Sequence, residues 1–252
     1  MYEPLPESLN EYIPNDKDII WKYMSLDNFI YLLEYNCLYL PRADSNPIYF
    51  EGHFFKSDIY YLTNAYRKDG GFEKPIDAAK EVFKHLEKYK SCTYLDCWHK
   101  NSDENFAMWK IYGKTDNSIA IKTSVKKLKN IYNNKEKSDC YLAEVLYYNF
   151  DDYNISKLTN IDLLPFIRKP DFFYYEEEIR GIIQWGGMPG VEYPLFETIP
   201  FTKRSEHFEL SDFVDEIVIC PYSSDWLLKL IEKLLREKGI KKIKISNSKY
   251  RK

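Results

Sequence analysis

Apolar residues follow two spacings along this chain, one typical of strands and one typical of helices. Short runs rich in β-branched and aromatic residues predict strands at 18–24, 37–42, 92–98, 118–123, 141–148, 175–185, 213–220 and 240–245. Apolar residues three and four positions apart predict helices after Ser25, over 53–68, 75–89 and 106–112, and after Ser223 or Ser224. The pattern predicts an α+β fold with a mixed, strongly twisted central sheet flanked by helices.

The chain is predicted to form one domain preceded by a short arm. Residues 1–16 contain Pro4, Pro6 and Pro14, which predicts an irregular N-terminal arm on the surface. Over residues 17–252 neither a linker nor an internal repeat interrupts the pattern. We therefore expect a single α+β domain there.

The composition limits the partners without naming an activity. Of the 252 residues 44% are hydrophobic, and the net charge of −3 argues against nucleic-acid binding over the whole surface. Local basic runs remain, and they consist of Lys126, Lys127 and Lys129 in a short helix and Lys241, Lys242, Lys244, Lys249, Arg251 and Lys252 in the tail. Such runs are usually solvated, and they would bind nucleic acid only if the two met in space.

The cysteines and the start of the chain predict its compartment. Five cysteines are scattered without a CxxC pair, so neither a zinc site nor a disulfide framework is expected. The acidic, proline-broken start does not resemble a secretion signal, and no apolar run approaches the roughly 20 residues that cross a bilayer. We expect a cytoplasmic protein with no metal and no membrane association.

The segment 94–123 combines packing residues with residues capable of chemistry. His99 follows Trp98 at the end of a predicted strand, where it is a candidate general base or ligand contact, with a capping role as the alternative. Cys97 shares a strand face with His99, which permits a nucleophile, although no orienting group is identified. Trp109 and Tyr112 share a helix face, an arrangement more typical of core packing than of a ring-stacking cleft.

Glu176 and Glu178 are the strongest candidates for chemistry. On the predicted strand 175–185 they face the same side, because strand side chains alternate. Neighbouring carboxylates raise one another's pKa and can divide acid and base work. The competing interpretation is an exposed charge ladder with Arg180, which would stabilise the fold by about a few tenths of a kcal/mol per pair.

Three motifs, in order along nearly the whole chain from Trp21 onward, resemble those of a bacterial family. The first is met by Leu38, Tyr39, Arg42, Ala43, Asp44, Phe50, Glu51 and Gly52. The second is met by Cys97, Trp98, His99, Met108, Trp109, Tyr112 and Gly113, and the third by Lys169, Phe173, Tyr175, Glu176, Glu178 and Arg180. In these motifs the chain resembles the bacterial domain of unknown function 2971 family. Ile48 and Tyr49 replace the family's Asp-Pro pair, so any direct role of that aspartate is performed differently here or not at all.

A second resemblance suggests a reaction. A Glu-x-Glu on a strand is similar to the catalytic motif of mono-ADP-ribosyltransferases, whose second glutamate stabilises a ribosyl oxocarbenium ion and whose first engages the acceptor. The likeness implies NAD as substrate and Glu178 as the catalytic carboxylate beside Glu176. It also implies a role in bacterial conflict, as a toxin or an anti-phage effector. By the same likeness, Lys22 or Arg42 would hold the phosphates of NAD, and Trp98 or Trp109 would flank its nicotinamide ring. The supporting groups would be His99, Tyr112 and Arg180.

Two other interpretations stay open on the sequence. In one, the chain is a non-catalytic module in which the aromatic helix, Arg42 and Arg180 cradle a nucleotide or a protein partner. In the other, it is a nucleic-acid-associated protein that binds through its basic tail. The decisive observation is whether Glu178, Arg180, His99 and Arg42 converge in one cleft.

Overall fold

The computed structural model describes residues 2–45, 52–113, 115–133, 138–149, 162–185, 193–201 and 210–251. In these ranges the strands are β1 (Ile19–Ser25), β2 (Cys37–Pro41), β3 (Thr93–Lys100), β4 (Ser118–Ser124), β5 (Asp139–Glu144), β6 (Leu146–Tyr148), β7 (Arg168–Pro170), β8 (Glu178–Gln184), β9 (Phe196–Pro200), β10 (Glu216–Ile219) and β11 (Lys244–Asn247). The α-helices are α1 (Leu26–Tyr35), α2 (Lys56–Asp69), α3 (Pro75–Leu86), α4 (Phe106–Ile111), α5 (Val125–Tyr132), α6 (Leu164–Ile167), α7 (Leu210–Phe213) and α8 (Asp225–Glu237).

A seven-stranded sheet runs through the centre of the molecule in the order β11-β10-β4-β1-β3-β8-β5. Its strands pair antiparallel except for β10 and β11, which pair parallel. Two small sheets accompany it, one formed by β2 with β9 and the other by β6 with β7. An isolated bridge between Arg42 and Tyr94 connects the end of β2 with β3. A mixed central sheet with helices around it confirms the predicted α+β class.

Helix α8 illustrates how residue spacing builds the core. Leu227, Ile231 and Leu235 lie four residues apart, and all three are buried in the main hydrophobic cluster. Because burying such a side chain contributes about 1.5–3 kcal/mol, this stripe holds the helix in the core. Ser224 occupies the N-cap position, and Gly239 follows the helix at a φ of +74°, a left-handed conformation that favours glycine.

The central sheet splits between β1 and β3. Strand β1 pairs with β4 along its whole length, from Ile19 to Ser25. With β3 it pairs only through Ile20 with Lys100 and Trp21 with His99. Beyond Trp21 the two strands diverge, so the rest of β1 and the first part of β3 border a gap instead of a hydrogen-bonded ladder. We call this gap the split.

The structure corrects the predicted start of the strand that carries the glutamates. The predicted strand 175–185 begins only at Glu178, because residues Asp171–Glu176 form a 3-10 helix. Glu177 separates the two elements in the left-handed region, with φ 40° and ψ 54°. Glu176 and Glu178 therefore do not share a strand, and their proximity has another cause.

Several other element predictions were also wrong in detail. Strand β2 pairs with β9, a strand that is absent from the predicted elements, instead of joining the ladder of the central sheet. The strand expected over 141–148 is interrupted at Val145, giving β5 and β6. The helix expected from His53 begins at Lys56, where Asp58 accepts a hydrogen bond from the Phe55 N–H at 2.8 Å.

The N-terminal segment packs against the domain. The Glu3 N–H donates to the Cys140 carbonyl at 2.8 Å, beside the bridge between Tyr2 and Cys140. Leu5 and Leu9 are buried in a hydrophobic cluster with Ile182. The expected surface arm thus contributes to the core, while the boundary at residue 17 stays a prediction. Among the helices of the described ranges, none combines the length and the apolar character that a membrane crossing needs.

Candidate functional site

A cavity of about 170 Å³ lies at the split. It is lined by Trp21, Lys22, Tyr23, Cys97, Trp98, His99, Met108, Tyr112, Glu176 and Glu178. Six of the nine residues given possible site roles from the sequence line this one cavity, which we call the split cavity. An open cleft of about 720 Å³ lies on the other side of Glu178 and shares that residue with it.

Glu178 is held by two buried cations. Arg180 binds it through both carboxylate oxygens, with Nε to Oε1 at 2.7 Å and Nη2 to Oε2 at 2.9 Å. The Lys169 ammonium donates to the same Oε2 at 3.3 Å. All three side chains are buried, so the exposed charge ladder considered from the sequence is wrong. The two-point fork of arginine fixes the plane of the carboxylate as well as its position.

Glu176 approaches the same lysine from the neighbouring turn. Its Oε2 accepts a hydrogen bond from Lys169 at 2.5 Å. The left-handed backbone at Glu177 reverses the chain, so that Glu176 and Glu178 both face Lys169 while the Glu177 side chain is exposed. A non-glycine residue in this region costs about 1 kcal/mol or more, and such strain concentrates at functional sites.

The surrounding charges fix the protonation of these groups. Burial opposes ionisation of Glu178, but Arg180 and Lys169 outweigh it and lower its pKa to about 2. Burial raises the pKa of Tyr112, and Glu176 and Glu178 raise it further. Tyr112 therefore stays protonated, and its hydroxyl remains a hydrogen-bond donor at the cavity. Near neutral pH the cavity holds an ionised Glu178 and a neutral phenol.

His99 is neutral and oriented. Its Nδ1 lies 2.6 Å from the Glu176 carbonyl oxygen, which can only accept, so Nδ1 carries the proton. Burial lowers the pKa of His99, although the bond to Glu176 opposes the shift. The other ring nitrogen, Nε2, retains its lone pair and lies 3.4 Å from the Asn101 amide nitrogen. A neutral imidazole with one fixed tautomer is suited to accept a proton.

Lys22 crosses the split. Its ammonium donates to Asp96 Oδ1 at 2.6 Å and to the Cys97 carbonyl at 3.2 Å, across the gap that separates β1 from β3. It also lies 5.1 Å from the centre of the Trp98 ring, a cation–π contact. Two of its three donors are thus used within the described part of the chain, and its side chain keeps 20% of its surface exposed.

A buried tyrosine completes the support of Lys22. The Tyr132 hydroxyl donates to Asp96 Oδ2 at 2.9 Å, and burial, followed by Asp96, raises the pKa of Tyr132 so that the proton stays in place. Gly181 pairs with Asp96 across β3 and β8. A Cβ atom at that position would collide with the Tyr132 hydroxyl, so only glycine leaves room for it.

Trp98 and Arg42 differ from their predicted roles. Trp98 borders the cavity, but it is only 1% exposed and packs edge-on against Phe213 in the main core, 5.8 Å between ring centres. Arg42 does not converge with the others, because it binds Asp44 and the Tyr193 carbonyl. Arg42 does not line the split cavity, and its contact with a phosphate stays a prediction. The replaced Asp-Pro positions, Ile48 and Tyr49, lie outside the described residues.

The basic helix and the basic tail come close to each other, because a lysine of each pairs with one of two adjacent acidic residues. Lys127 pairs with Asp215 at 2.7 Å, and Lys244 pairs with the next residue, Glu216, also at 2.7 Å. Lys129, Lys249 and Arg251 likewise have acidic partners, which are Asp16, Asp103 and Asp225. This surface carries alternating charges, and nucleic-acid binding through it stays a prediction.

Within the described ranges, no three His, Cys, Asp or Glu side chains come together in a way that could hold a metal ion. All five cysteines are free thiols, and of these only Cys97, at the cavity, is partly exposed. Cys97 and Glu178 line the same cavity, and the Cys97 thiol contributes to lowering the pKa of the carboxylate that Arg180 holds.

Sequence reasoning missed the residues behind the cavity. Lys169 was part of a recognised motif without a role, and Asp96, Tyr132 and Gly181 were not singled out. An aspartate inside an otherwise apolar run such as 92–98 was the available signal, because a charge there needs a buried partner. A second available signal was Gly181, next to Arg180 on β8, because a glycine inside a strand often marks a place where another chain segment or a ligand approaches the backbone closely.

Comparison with known proteins adds a distant likeness in structure. Neither a family model nor a curated protein sequence matches the chain. Among solved structures, DarT of Thermus sp. 2.9 in complex with NAD+ shares 10% identity at a TM-score of 0.37, covering 95% of this chain and 99% of that one. The complex with carba-NAD+ gives 8% identity, a TM-score of 0.39 and coverage of 94% and 98%. The complex with ADP-ribosylated single-stranded DNA shares 11% identity at a TM-score of 0.38, covering 96% of this chain and 99% of that one. Scores this low at such identities carry no argument about this chain.

Proposed function

We propose that this protein acts on NAD or a related nucleotide by ribosyl transfer or glycohydrolysis at the split cavity. One observation carries the proposal: the carboxylates of Glu176 and Glu178 line a small cavity with aromatic walls. The cations that neutralise them, Lys169 and Arg180, lie behind them among the described residues. The cavity therefore presents negative groups and ring faces to a ligand, which suits a cationic pyridinium and the positive charge of an oxocarbenium ion.

The residues divide the reaction in a definite way. The bond between ribose and nicotinamide breaks, and nicotinamide leaves as a neutral molecule with the bonding electrons. Glu178, ionised and fixed by Arg180, stabilises the positive charge that develops on the ribosyl group. Water or an acceptor then forms the new bond to ribose and gives its proton to a base. His99 is that base, because its Nδ1 carries the proton and its unprotonated Nε2 has only a long contact, 3.4 Å, to the Asn101 amide among the described residues.

The remaining residues orient the substrate. Lys22 faces the cavity with an ammonium group fixed by Asp96, and it holds a phosphate of the substrate. Tyr112 keeps a protonated hydroxyl at the cavity wall, from which it donates to the substrate. The known complexes of DarT with NAD+ and carba-NAD+ concern that protein, and the proposal for this chain rests on its own cavity.

Release of nicotinamide from NAD tests the proposal. Wild type is expected to release nicotinamide faster than buffer, and Glu178→Gln to reduce the rate about 100-fold or more. Glu177→Gln is the matched control, because it removes a neighbouring charge whose side chain is exposed, and it is expected to keep the wild-type rate.

A second variant guards against misfolding. Tyr112→Phe removes one hydroxyl from the cavity wall and keeps the ring, so we expect a folded protein with reduced turnover. Equal background rates for wild type and Glu178→Gln, with and without candidate acceptors, would refute the enzymatic function.

A non-catalytic nucleotide-binding module is the second candidate. Both oxygens of Glu178 are already bound by Arg180, an arrangement that a purely structural ion cluster would share. This candidate predicts that NAD raises the melting temperature of wild type while no nicotinamide appears. Membership of the domain of unknown function 2971 family is likewise proposed from the three motifs alone.

A further inference from the structure

A second space adjoins the split cavity. It is a cleft of about 210 Å³ between β1, α1 and β2, and we call it the α1 cleft. Its floor is apolar, formed in part by the buried Leu32 and Leu38. Its rim carries the Asn28 amide and the Tyr39 ring, which remains 37% exposed.

The two spaces meet at Lys22 and Tyr23, which line both. Met24, in the α1 cleft, belongs to the main core, whereas Trp21, in the split cavity, packs with Met108 on the other face of β1. The α1 cleft therefore lies on the main-core face of β1, whereas the split cavity has walls from both faces. The two spaces are joined where the sheet splits. The Lys22 ammonium stands at the junction, and two of its donors are used by Asp96 and Cys97.

The geometry points to the α1 cleft as the subsite for the second nucleoside of a dinucleotide, with the linking diphosphate at Lys22 and the first nucleoside in the split cavity. This rests on the proposed function. A drug-sized ligand occupies a pocket of roughly 300–1,000 Å³, so neither space alone holds a dinucleotide, whereas the two together reach that range.

The chemistry of the cleft fits a planar heterocyclic base. Tyr39 stacks on Phe196 with 5.0 Å between ring centres, so its ring is held in place before any ligand arrives. The apolar floor accepts the face or edge of a base, and the Asn28 amide supplies both a donor and an acceptor for its polar edge. A cation at the junction with an apolar cleft on one side matches a diphosphate that carries a base.

Binding measurements with three probes test the subsite. Wild type, Tyr39→Ala and Asn28→Ala are titrated calorimetrically with NAD, ADP-ribose and nicotinamide mononucleotide. We expect Tyr39→Ala to weaken NAD and ADP-ribose about tenfold, since stacking on a base is worth roughly 1–3 kcal/mol. Asn28→Ala is expected to weaken both by about fivefold. Nicotinamide mononucleotide, which lacks the second nucleoside, should bind all three proteins equally.

Tyr35→Ala is the matched control, because Tyr35 is an exposed tyrosine at the end of the same helix and does not line the cleft. It should leave all three affinities unchanged. Equal ADP-ribose affinity in wild type and Tyr39→Ala overturns the subsite. The subsite is also overturned if Tyr39→Ala loses as much affinity for nicotinamide mononucleotide as it loses for ADP-ribose. A wild type that binds ADP-ribose no better than it binds ribose 5-phosphate overturns it as well.

Turnover separates this inference from the proposed function. If wild type releases nicotinamide but Tyr39→Ala shows an unchanged KM for NAD, the subsite fails and the enzymatic function stands. If wild type binds ADP-ribose in a Tyr39-dependent way without releasing nicotinamide, the enzymatic function fails and the subsite stands. A raised KM with unchanged kcat in Tyr39→Ala supports both.

Discussion

At the scale of single residues, Glu178 links stability to the proposed chemistry. Its pKa of about 2 lies below the ordinary value of 4.5, so the folded state favours the ionised form. Such a group contributes stability that is fully present above pH 4.5 and is lost as the pH falls through the folded pKa. The same charge that stabilises the fold is the one that would face the ribosyl cation.

Glu178→Gln should therefore destabilise the protein in a pH-dependent way. At pH 7 we expect a loss of about 3 kcal/mol in the free energy of unfolding, because Arg180 and Lys169 keep their buried charges without this partner. The difference from wild type should shrink progressively below pH 4.5. Urea unfolding at a series of pH values measures it, with Glu177→Gln as the exposed control. A difference that does not change with pH would contradict the ionised, cation-bound state of Glu178.

The residues that could carry out chemistry at the site were easier to predict from the sequence than the residues that hold them in position. The side chains of His99, Glu176 and Glu178 can take part in acid–base or electrostatic catalysis, which makes them candidates from the sequence alone, and all three line one cavity. Asp96 and Tyr132 act only through Lys22, and their contact depends on a glycine on another strand. Such a contact depends on strand register, which a single sequence does not specify.

At the scale of elements, the turn before β8 decides how the two glutamates meet. The alternation of a strand was expected to bring them to one face, and a left-handed residue does so instead. No local signal marked this turn, because Glu177 is neither glycine nor asparagine. The long helices were predictable from their apolar spacing, whereas the pairing of β2 with β9 depends on contacts distant in sequence.

Replacing Glu177 by glycine should relieve the strain of this turn. Glycine adopts a φ of +40° without a Cβ clash, so we expect Glu177→Gly to raise the free energy of unfolding by up to about 1 kcal/mol, measured by urea titration. Asn36→Gly is the matched comparison, since Asn36 ends α1 at a φ of 48° and asparagine tolerates that region. Its gain should be smaller. A loss of stability in Glu177→Gly would show that the side chain, and not the backbone, holds the turn.

At the scale of the whole molecule, the sheet consists of two well-paired parts joined by a short seam. Strand β4 is paired on both sides, by β1 and β10, and β8 is paired on both sides, by β3 and β5. The seam between β1 and β3 contains only the pairs at Ile20 and Trp21, and beyond it Lys22 replaces the ladder with side-chain bonds. The proposed ligand site thus lies beside the shortest strand pairing of the central sheet, a placement that permits opening.

Hydrogen exchange should reveal this seam and its response to a ligand. In the free protein we expect the slowest amides in β4 and β8, and faster exchange in the part of β1 beyond Trp21. NAD at about 100 times its dissociation constant adds roughly 2.7 kcal/mol to any opening that releases it, so β1 and β3 should gain protection together. The edge strand β11, Lys244–Asn247, lies far from the split in the strand order and serves as the internal control. Lys22→Met should abolish the gain at β1 and β3 by removing the group that joins the strands and holds the phosphate. Protection that appears equally in β11, or that survives Lys22→Met, would place the ligand away from the split.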